Sequence, residues 1–427
     1  MSLYYNKKRK FGIYVEIGVW CRILQMRLAM DSKNILGIDI GTSNIKIFVG
    51  KIGLDGHVTI AGSGQMTTNG FAKGVISNCN LLVKSIEQAV DCAVMATNLS
   101  VKDAYIGIGG MELNAVNSIG SIAPSAPSNI TIDDVNRVYR AAALVAIPDD
   151  HEVLHVLPQK IFVDKQRKNG LPLQEKGSHL EVEAHVVSIP KMTINDLIKE
   201  IETLGIHVVG VIANAVAVTE AIIPVPAENF LVIDIGAGST ELILYQEGHI
   251  DFTTALPLGG NYITSDIMRG LAISWEHAEE IKKYYTKLNK QLQGQEIILD
   301  CNAYGTTDKH VSYDFLYKIV ESRICELVYL MHEHSKIFLA ENKIEKIFLT
   351  GGCGAMPGFV QNIEATFGIP VQVVIHQELP LEYRSPENAA CYGILKYAGK
   401  NLPKPQVILE SNPWRSLMSK CRNFLKN

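Results

Sequence analysis

Residues 37–50 read GIDIGTSNIKIFVG, and residues 232–245 read VIDIGAGSTELILY. Each copy opens on an apolar run, NILGIDIG from Asn34 and NFLVIDIG from Asn229. A turn of glycine and small hydroxyl residues follows: Gly41-Thr42-Ser43-Asn44 in the first, Gly236-Ala237-Gly238-Ser239-Thr240 in the second. The pattern then alternates again, through Ile45, Ile47 and Val49, or Leu242 and Leu244. Turn signals at Asp55-Gly56-His57 and Glu247-Gly248-His249 close each unit. Both therefore read as β-hairpins with a Gly-rich tip.

Such a tip suits an anion. Glycines let backbone N–H groups approach closely, and Ser or Thr hydroxyls add donors. An aspartate beside phosphate would repel it, so Asp39 and Asp234 read instead as holders of a hydrated Mg²⁺ that neutralises the phosphates. A single D-x-G-x-[GS] tip is a weak signal that arises by chance. Two copies, each after a buried strand and before an alternating one, predict facing hairpins that clamp one nucleotide tail.

A third stretch supplies the base. KIFLTGGCGAMPGF, from Lys346, reads as an apolar strand, a Gly351-Gly352-Cys353-Gly354 turn with Met356 just beyond, and a helix from near Pro357. A flat Gly-Gly backbone suits a planar adenine ring.

The bulk numbers agree with a large globular chain. It has 427 residues, is 47% hydrophobic and 20% charged, and carries a formal net charge of −4. That length predicts two or three domains with ample core. The mild acidity gives no argument for nucleic-acid binding. Eight cysteines occur without a C-x-x-C pair or metal-like spacing, which reads as reduced thiols in a cytoplasmic protein.

The most apolar window, GIHVVGVIANAVAVTEAII from Gly205, carries His207, Asn214 and Glu220. It reads as a strand over Val208–Ile212 and a helix capped by Asn214, not as a membrane span. Residues 1–32 begin basic and turn apolar, but Glu16, Arg22 and Arg27 spoil a signal peptide. The expectation there is a disordered leader, or a start ahead of the true one at Met26 or Met30.

The order phosphate hairpin, phosphate hairpin, base turn matches the actin and sugar-kinase superfamily. With HEVLHVLPQKIFVD from His151, LPLGGNYITSDI from Leu256 and AEEIKK from Ala278, the chain resembles the FtsA family of bacterial division proteins from about Lys33 to Asn427. The resemblance implies an α/β, actin-like two-domain fold with a nucleotide cleft between domains. It also implies an inserted α+β subdomain in the first domain and a C-terminal amphipathic helix. Residues 33–99, 179–222 and 381–398 would form the first domain and 100–178 the insert. Residues 223–380 would form the second domain, with 257–330 as its outer subdomain, followed by a linker over 399–411.

The cofactors so implied are ATP and Mg²⁺. Asp39 and Asp234 would face the metal through water. Gly41, Thr42, Ser43 and Lys46 would bind phosphate from one side, and Gly236, Gly238, Ser239 and Thr240 from the other. Gly259, Gly260 and Asn261 would lie near the cleft. Glu279 and Lys282 would hold ribose and base, although on spacing alone they read as a solvated i,i+3 ion pair. Gly351, Gly352, Cys353 and Met356 would receive adenine.

In the insert, Thr131 before Ile132-Asp133-Asp134 signals a helix N-cap, and His155 nearby reads as a structural histidine. Many relatives carry an acidic residue or glutamine that orients the attacking water before the helix after the central strand. Here that stretch is Ile212-Ala213-Asn214-Ala215. The expectation is ATP binding with at most slow hydrolysis and no named catalytic base.

Residues 412–427, NPWRSLMSKCRNFLKN, place Asn412 as a cap and Pro413 at the first helical position. Trp414, Leu417, Met418, Cys421, Phe424 and Leu425 share one face, with Arg415, Lys420, Arg422 and Lys426 on the flanks and opposite side. Core helix, calmodulin-type target and membrane-surface anchor all fit such a pattern. The absence of acids and the preceding Pro-containing linker favour the anchor. Each base near an anionic leaflet contributes about 1 kcal/mol, so one copy binds reversibly and an array persistently.

Taken with the family, these features predict an actin-like ATP-binding cell division protein. It would self-associate, tether FtsZ filaments by their C-terminal tail to the cytoplasmic face of the inner membrane at the division site, and help recruit membrane-embedded division proteins. The alternatives are a small-molecule kinase of the same superfamily and a pilus-assembly ATP-binding protein of related fold.

Overall fold

The computed structural model describes residues 32–72, 74–97, 99–223, 229–287, 296–299 and 309–402. Residues 1–31 of the expected leader and the amphipathic segment over 412–427 lie outside the described residues.

Three antiparallel strands come first: β1 (Lys33–Ile40), β2 (Asn44–Ile52) and β3 (Val58–Thr67). A short ribbon of β4 (Phe71–Ala72) and β5 (Val75–Ile76), then helix α1 (Cys79–Met95), lead to β6 (Asp103–Ile108), which returns parallel to β1. Next comes a separate sheet of β7 (Asn114–Ile122), β8 (His151–Val163), β9 (Gln166–Lys168) and β10 (Leu180–Pro190), in the order β7-β10-β8-β9. Helix α2 (Ile132–Ala146) covers one face of it. Thr131 is the N-cap of α2 as expected, and the structure completes it into a capping box: Thr131 and Asp134 satisfy each other's backbone N–H. The sequence reading places β10 with the first domain, yet β10 pairs with both β7 and β8. After helix α3 (Lys191–Thr203), β11 (His207–Ala213) runs parallel to β6, and helix α4 (Asn214–Ile222) follows.

The second half repeats the first. Strands β12 (Phe230–Ile235), β13 (Thr240–Gln246) and β14 (His249–Leu256) are antiparallel. Helices α5 (Gly260–Leu271) and α6 (Trp275–Lys287), the pair β15 (Glu296–Leu299) and β16 (Lys309–Ser312), and helix α7 (Tyr313–Glu341) follow. Strands β17 (Lys346–Thr350) and β18 (Val371–Val373), with helix α8 (Phe359–Phe367) between them, then add in parallel. The two large sheets have matching orders, β11-β6-β1-β2-β3 and β18-β17-β12-β13-β14. Each is three meandering strands extended by two parallel ones. That duplication is the architectural meaning of the repeated phrase.

Helix α9 (Ala389–Asn401) joins the halves. Helices α4 and α9 share one buried cluster with Ile35, Phe48 and Ile52 of the first sheet and Phe230, Val232 and Phe348 of the second. Both helices are thus apolar nearly all round, as an element buried between two sheets must be. The outer faces are covered by α1 and α3 on one side and by α5 to α8 on the other.

Candidate functional site

Both hairpins end in the same way. Gly41 N–H donates to the Asn44 carbonyl (3.2 Å), and Gly236 N–H to the Ser239 carbonyl (2.9 Å). One residue pair below each tip, Asp39 faces Lys46 across β1–β2, and Asp234 faces Glu241 across β12–β13. The tips meet. A β-carbon at Gly238 would lie 2.7 Å from Thr42 Oγ1, so only glycine allows this approach. Between the halves lies a cavity of about 560 Å³, within the usual range for a small-molecule site.

Its floor is acidic. Burial raises the pKa of Asp39, while the Lys46 charge and a hydrogen bond from Asn214 Nδ2 (3.0 Å) pull it back. Burial and the nearby Asp39 charge push Asp234 up to about 7. Burial and Asp234 push Glu241 up to about 8, against the hydrogen bond it accepts from Gly110 N–H (2.9 Å). Burial and mutual repulsion both favour the protonated form of such carboxylates. Glu241 Oε2 and Asn214 Oδ1 are buried without a hydrogen-bond partner.

This donor set fits a hard cation. Asp39 and Asp234 offer oxygen ligands from opposite halves, and no group of three or more His, Cys, Asp or Glu suited to direct ligation occurs among the described residues. A Mg²⁺ there would keep most of its water shell, as that ion does.

At the far end of β17, Gly351 turns at φ 88°, a conformation that favours glycine, beside Asp234. Cys353 N–H donates to the Ile235 carbonyl (3.0 Å), tying this turn to the second hairpin. Burial raises the Cys353 thiol pKa. Glu279 and Lys282 form a 2.6 Å i,i+3 ion pair, but not a solvated one: the Lys282 side chain is 7% exposed. Thr264 Oγ1 sits between them, 2.7 Å from Glu279 Oε2 and 2.8 Å from Lys282 Nζ.

Of the residues singled out from sequence, Asp39, Gly41, Thr42, Ser43, Lys46, Asp234, Gly236, Gly238, Ser239, Glu279, Lys282, Gly351, Gly352, Cys353 and Met356 all line this cavity. Thr240, Gly259, Gly260 and Asn261 stand behind the second tip. Thr240 Oγ1 donates to the Leu258 carbonyl, Gly260 N–H to the Gly236 carbonyl and Asn261 N–H to the Ala237 carbonyl. They brace the loop from the rear.

Asn214 is a correction. The expected cap is not one: Ala213 holds the N-cap position of α4, with no side-chain cap bond, and Asn214 turns its amide to Asp39. Glu241 and Glu387 also line the cavity and were missed. Glu241 was legible, because it holds in the second hairpin the register position that Lys46 holds in the first. His155 is structural as expected. Its Nε2 accepts Ala213 N–H at 3.0 Å, and burial lowers its pKa to about 4.

A family profile described as cell division protein FtsA matches residues 231–393, and one described as the SHS2 domain inserted in FtsA matches 110–188. The cell division protein FtsA of Pseudomonas aeruginosa is 31% identical over 87% of this chain and 91% of its own length. That of Bacillus subtilis is 30% identical over 86% and 83%. Among solved structures, the PilM–PilN type IV pilus biogenesis complex superposes with TM-score 0.62 at 17% identity, covering 86% of this chain and 98% of that one. MreB5 of Spiroplasma citri bound to ADP gives 0.51 at 13% identity, covering 86% and 98%. The fold is actin-like.

Proposed function

The chain belongs to the FtsA family of cell division proteins, and on that premise we propose that it is an ATP-binding member that ties division filaments to the membrane. The observation that carries the nucleotide reading is the approach of Thr42 to Gly238 above paired aspartates, which offers one triphosphate to both halves at once. Asp39 and Asp234 would hold Mg²⁺ through water, and the ion would neutralise phosphate charge. The tips would supply backbone and hydroxyl donors. The Gly351 turn would receive adenine, and Glu279 with Lys282 the ribose edge.

ATP acts here as a conformational ligand. A ligand that contacts both halves favours the closed arrangement over any open one by its differential affinity. Self-association then follows closure, and the basic amphipathic segment over 412–427 brings the assembly to the inner face of the membrane. The FtsZ C-terminal tail is the filament contact and the outer subdomain around Asn261 to Tyr329 its seat. Membrane-embedded division proteins would reach the inserted sheet. Family membership favours this reading over a small-molecule kinase or a pilus-assembly protein.

Co-sedimentation with anionic vesicles in Mg-ATP tests it, comparing the full chain with one ending at residue 411. Only the full chain should pellet and carry FtsZ with it. Equal pelleting of both chains, or no FtsZ in the pellet, overturns the tether.

A further inference from the structure

Lys46, the cation placed to meet phosphate, is already engaged. Its Nζ donates to Glu387 Oε2 at 2.9 Å and to the Glu387 carbonyl at 2.8 Å. The Lys46 side chain is 11% exposed and that of Glu387 41%, so the carboxylate reaches in from the cleft rim. The turn that carries it is fixed from the other half as well, since Thr350 Oγ1 donates to the Pro386 carbonyl at 2.7 Å. Glu387 therefore sits where first hairpin, base turn and α9 converge.

The surrounding charge gives this contact a consequence. Among the described residues, five carboxylates and three lysines line the cleft. Lys282 is committed to Glu279. A bare triphosphate entering this space meets whichever of these carboxyl groups are ionised, and it finds Lys46 already paired with the Glu387 carboxylate. A metal-loaded nucleotide brings its own positive charge and carries roughly half the net negative charge, so the Glu387 carboxylate and any other ionised carboxylate repel it roughly half as much.

We propose that Glu387 is a specificity-determining residue that makes the cleft select metal-loaded over metal-free nucleotide, by holding Lys46 in an ion pair that a bare triphosphate must break. The proposal rests on the nucleotide reading of the cleft. Deleting the Glu387 charge frees Lys46 and should help the more highly charged ligand most. The backbone carbonyl of residue 387 still places the lysine in such a variant.

The test is calorimetric binding of ATP to the full chain, once in excess Mg²⁺ and once in chelator, for wild type, Glu387→Gln and Glu387→Ala. Glu382→Gln, at an exposed acid in the neighbouring turn, makes the same change of net charge away from Lys46. Melting curves on each variant establish folding. Metal-free affinity should rise about tenfold or more in both Glu387 variants while metal-loaded affinity changes by less than about threefold, with Glu382→Gln tracking wild type. An unchanged ratio between the two conditions overturns the proposal. So does parallel loss of both affinities in folded variants, which would make Glu387 a residue that merely positions Lys46. Wild type that binds ATP in neither condition overturns the nucleotide reading itself, and the proposal with it.

Discussion

Thr42 of the first hairpin tip lies against Gly238 of the second, so closely that an added β-carbon would sit 2.7 Å from Oγ1 and 2.9 Å from Cγ2. Gly238 does not have a left-handed φ, so the approach of Thr42 and not backbone conformation demands glycine there. Gly238→Ala should part the tips and weaken Mg-ATP binding by about tenfold. Thr42→Gly should weaken it modestly, and the double variant should recover part of the Gly238→Ala loss, because residues in contact are not additive. Strict additivity in calorimetry would mean the tips act separately.

Affinity for Mg-ATP should rise with pH between about 6 and 8. Asp234 at about 7 and Glu241 at about 8 hold protons in the nucleotide-free cleft. An arriving cation favours their ionised forms, so binding releases protons, and affinity gains up to about tenfold per pH unit for each proton released. Calorimetry in two buffers of different ionisation enthalpy counts those protons. Glu241→Gln should remove its share. A flat profile contradicts the acidic floor.

Folding stability should fall on the acid side for a separate reason. Burial holds His155 and His185 at about 4, below the ordinary value near 6.5. The folded state keeps both neutral, so their contribution is complete above about 6.5. It is lost towards pH 4 at up to about 1.4 kcal/mol per pH unit for each histidine. His155→Leu strands the Ala213 N–H and should cost about 1–3 kcal/mol at pH 7.5 while flattening the acid slope. Urea midpoints across pH read both effects.

Thr264 tests whether the Glu279–Lys282 pair is built into the fold. Its hydroxyl lies within hydrogen-bond distance of both partners. Thr264→Val keeps the shape, removes one hydrogen bond from each of two mostly buried charges, and should cost about 1–3 kcal/mol in urea unfolding. A loss under about 0.5 kcal/mol would return the pair to an ordinary surface contact.

Much of this was legible because the hairpin pattern is local. Asp39, Gly41, Asp234 and Gly236 lie within a few residues of the strands that position them, so strand period and turn chemistry suffice. What escaped depends on distant chain. Asn214 looks like a helix cap until Asp39, far away in sequence, supplies a better partner for its amide. Glu387 sits in a Ser-Pro-Glu-Asn turn with no motif, and its role appears only once Lys46 is beside it. Glu279 and Lys282 have the spacing of a solvated pair, and only the packing of α5 against α6 buries them. Burial and long-range pairing are properties of the packed halves, and no window of sequence contains them.

The central claim is that both hairpins grip one triphosphate. Calorimetric titration of Mg-ATP into wild type, Asp39→Ala and Asp234→Ala tests it most directly. The account predicts that each substitution alone weakens binding by about tenfold or more, since each removes one half's hold on the metal. Undiminished affinity in either variant would contradict it.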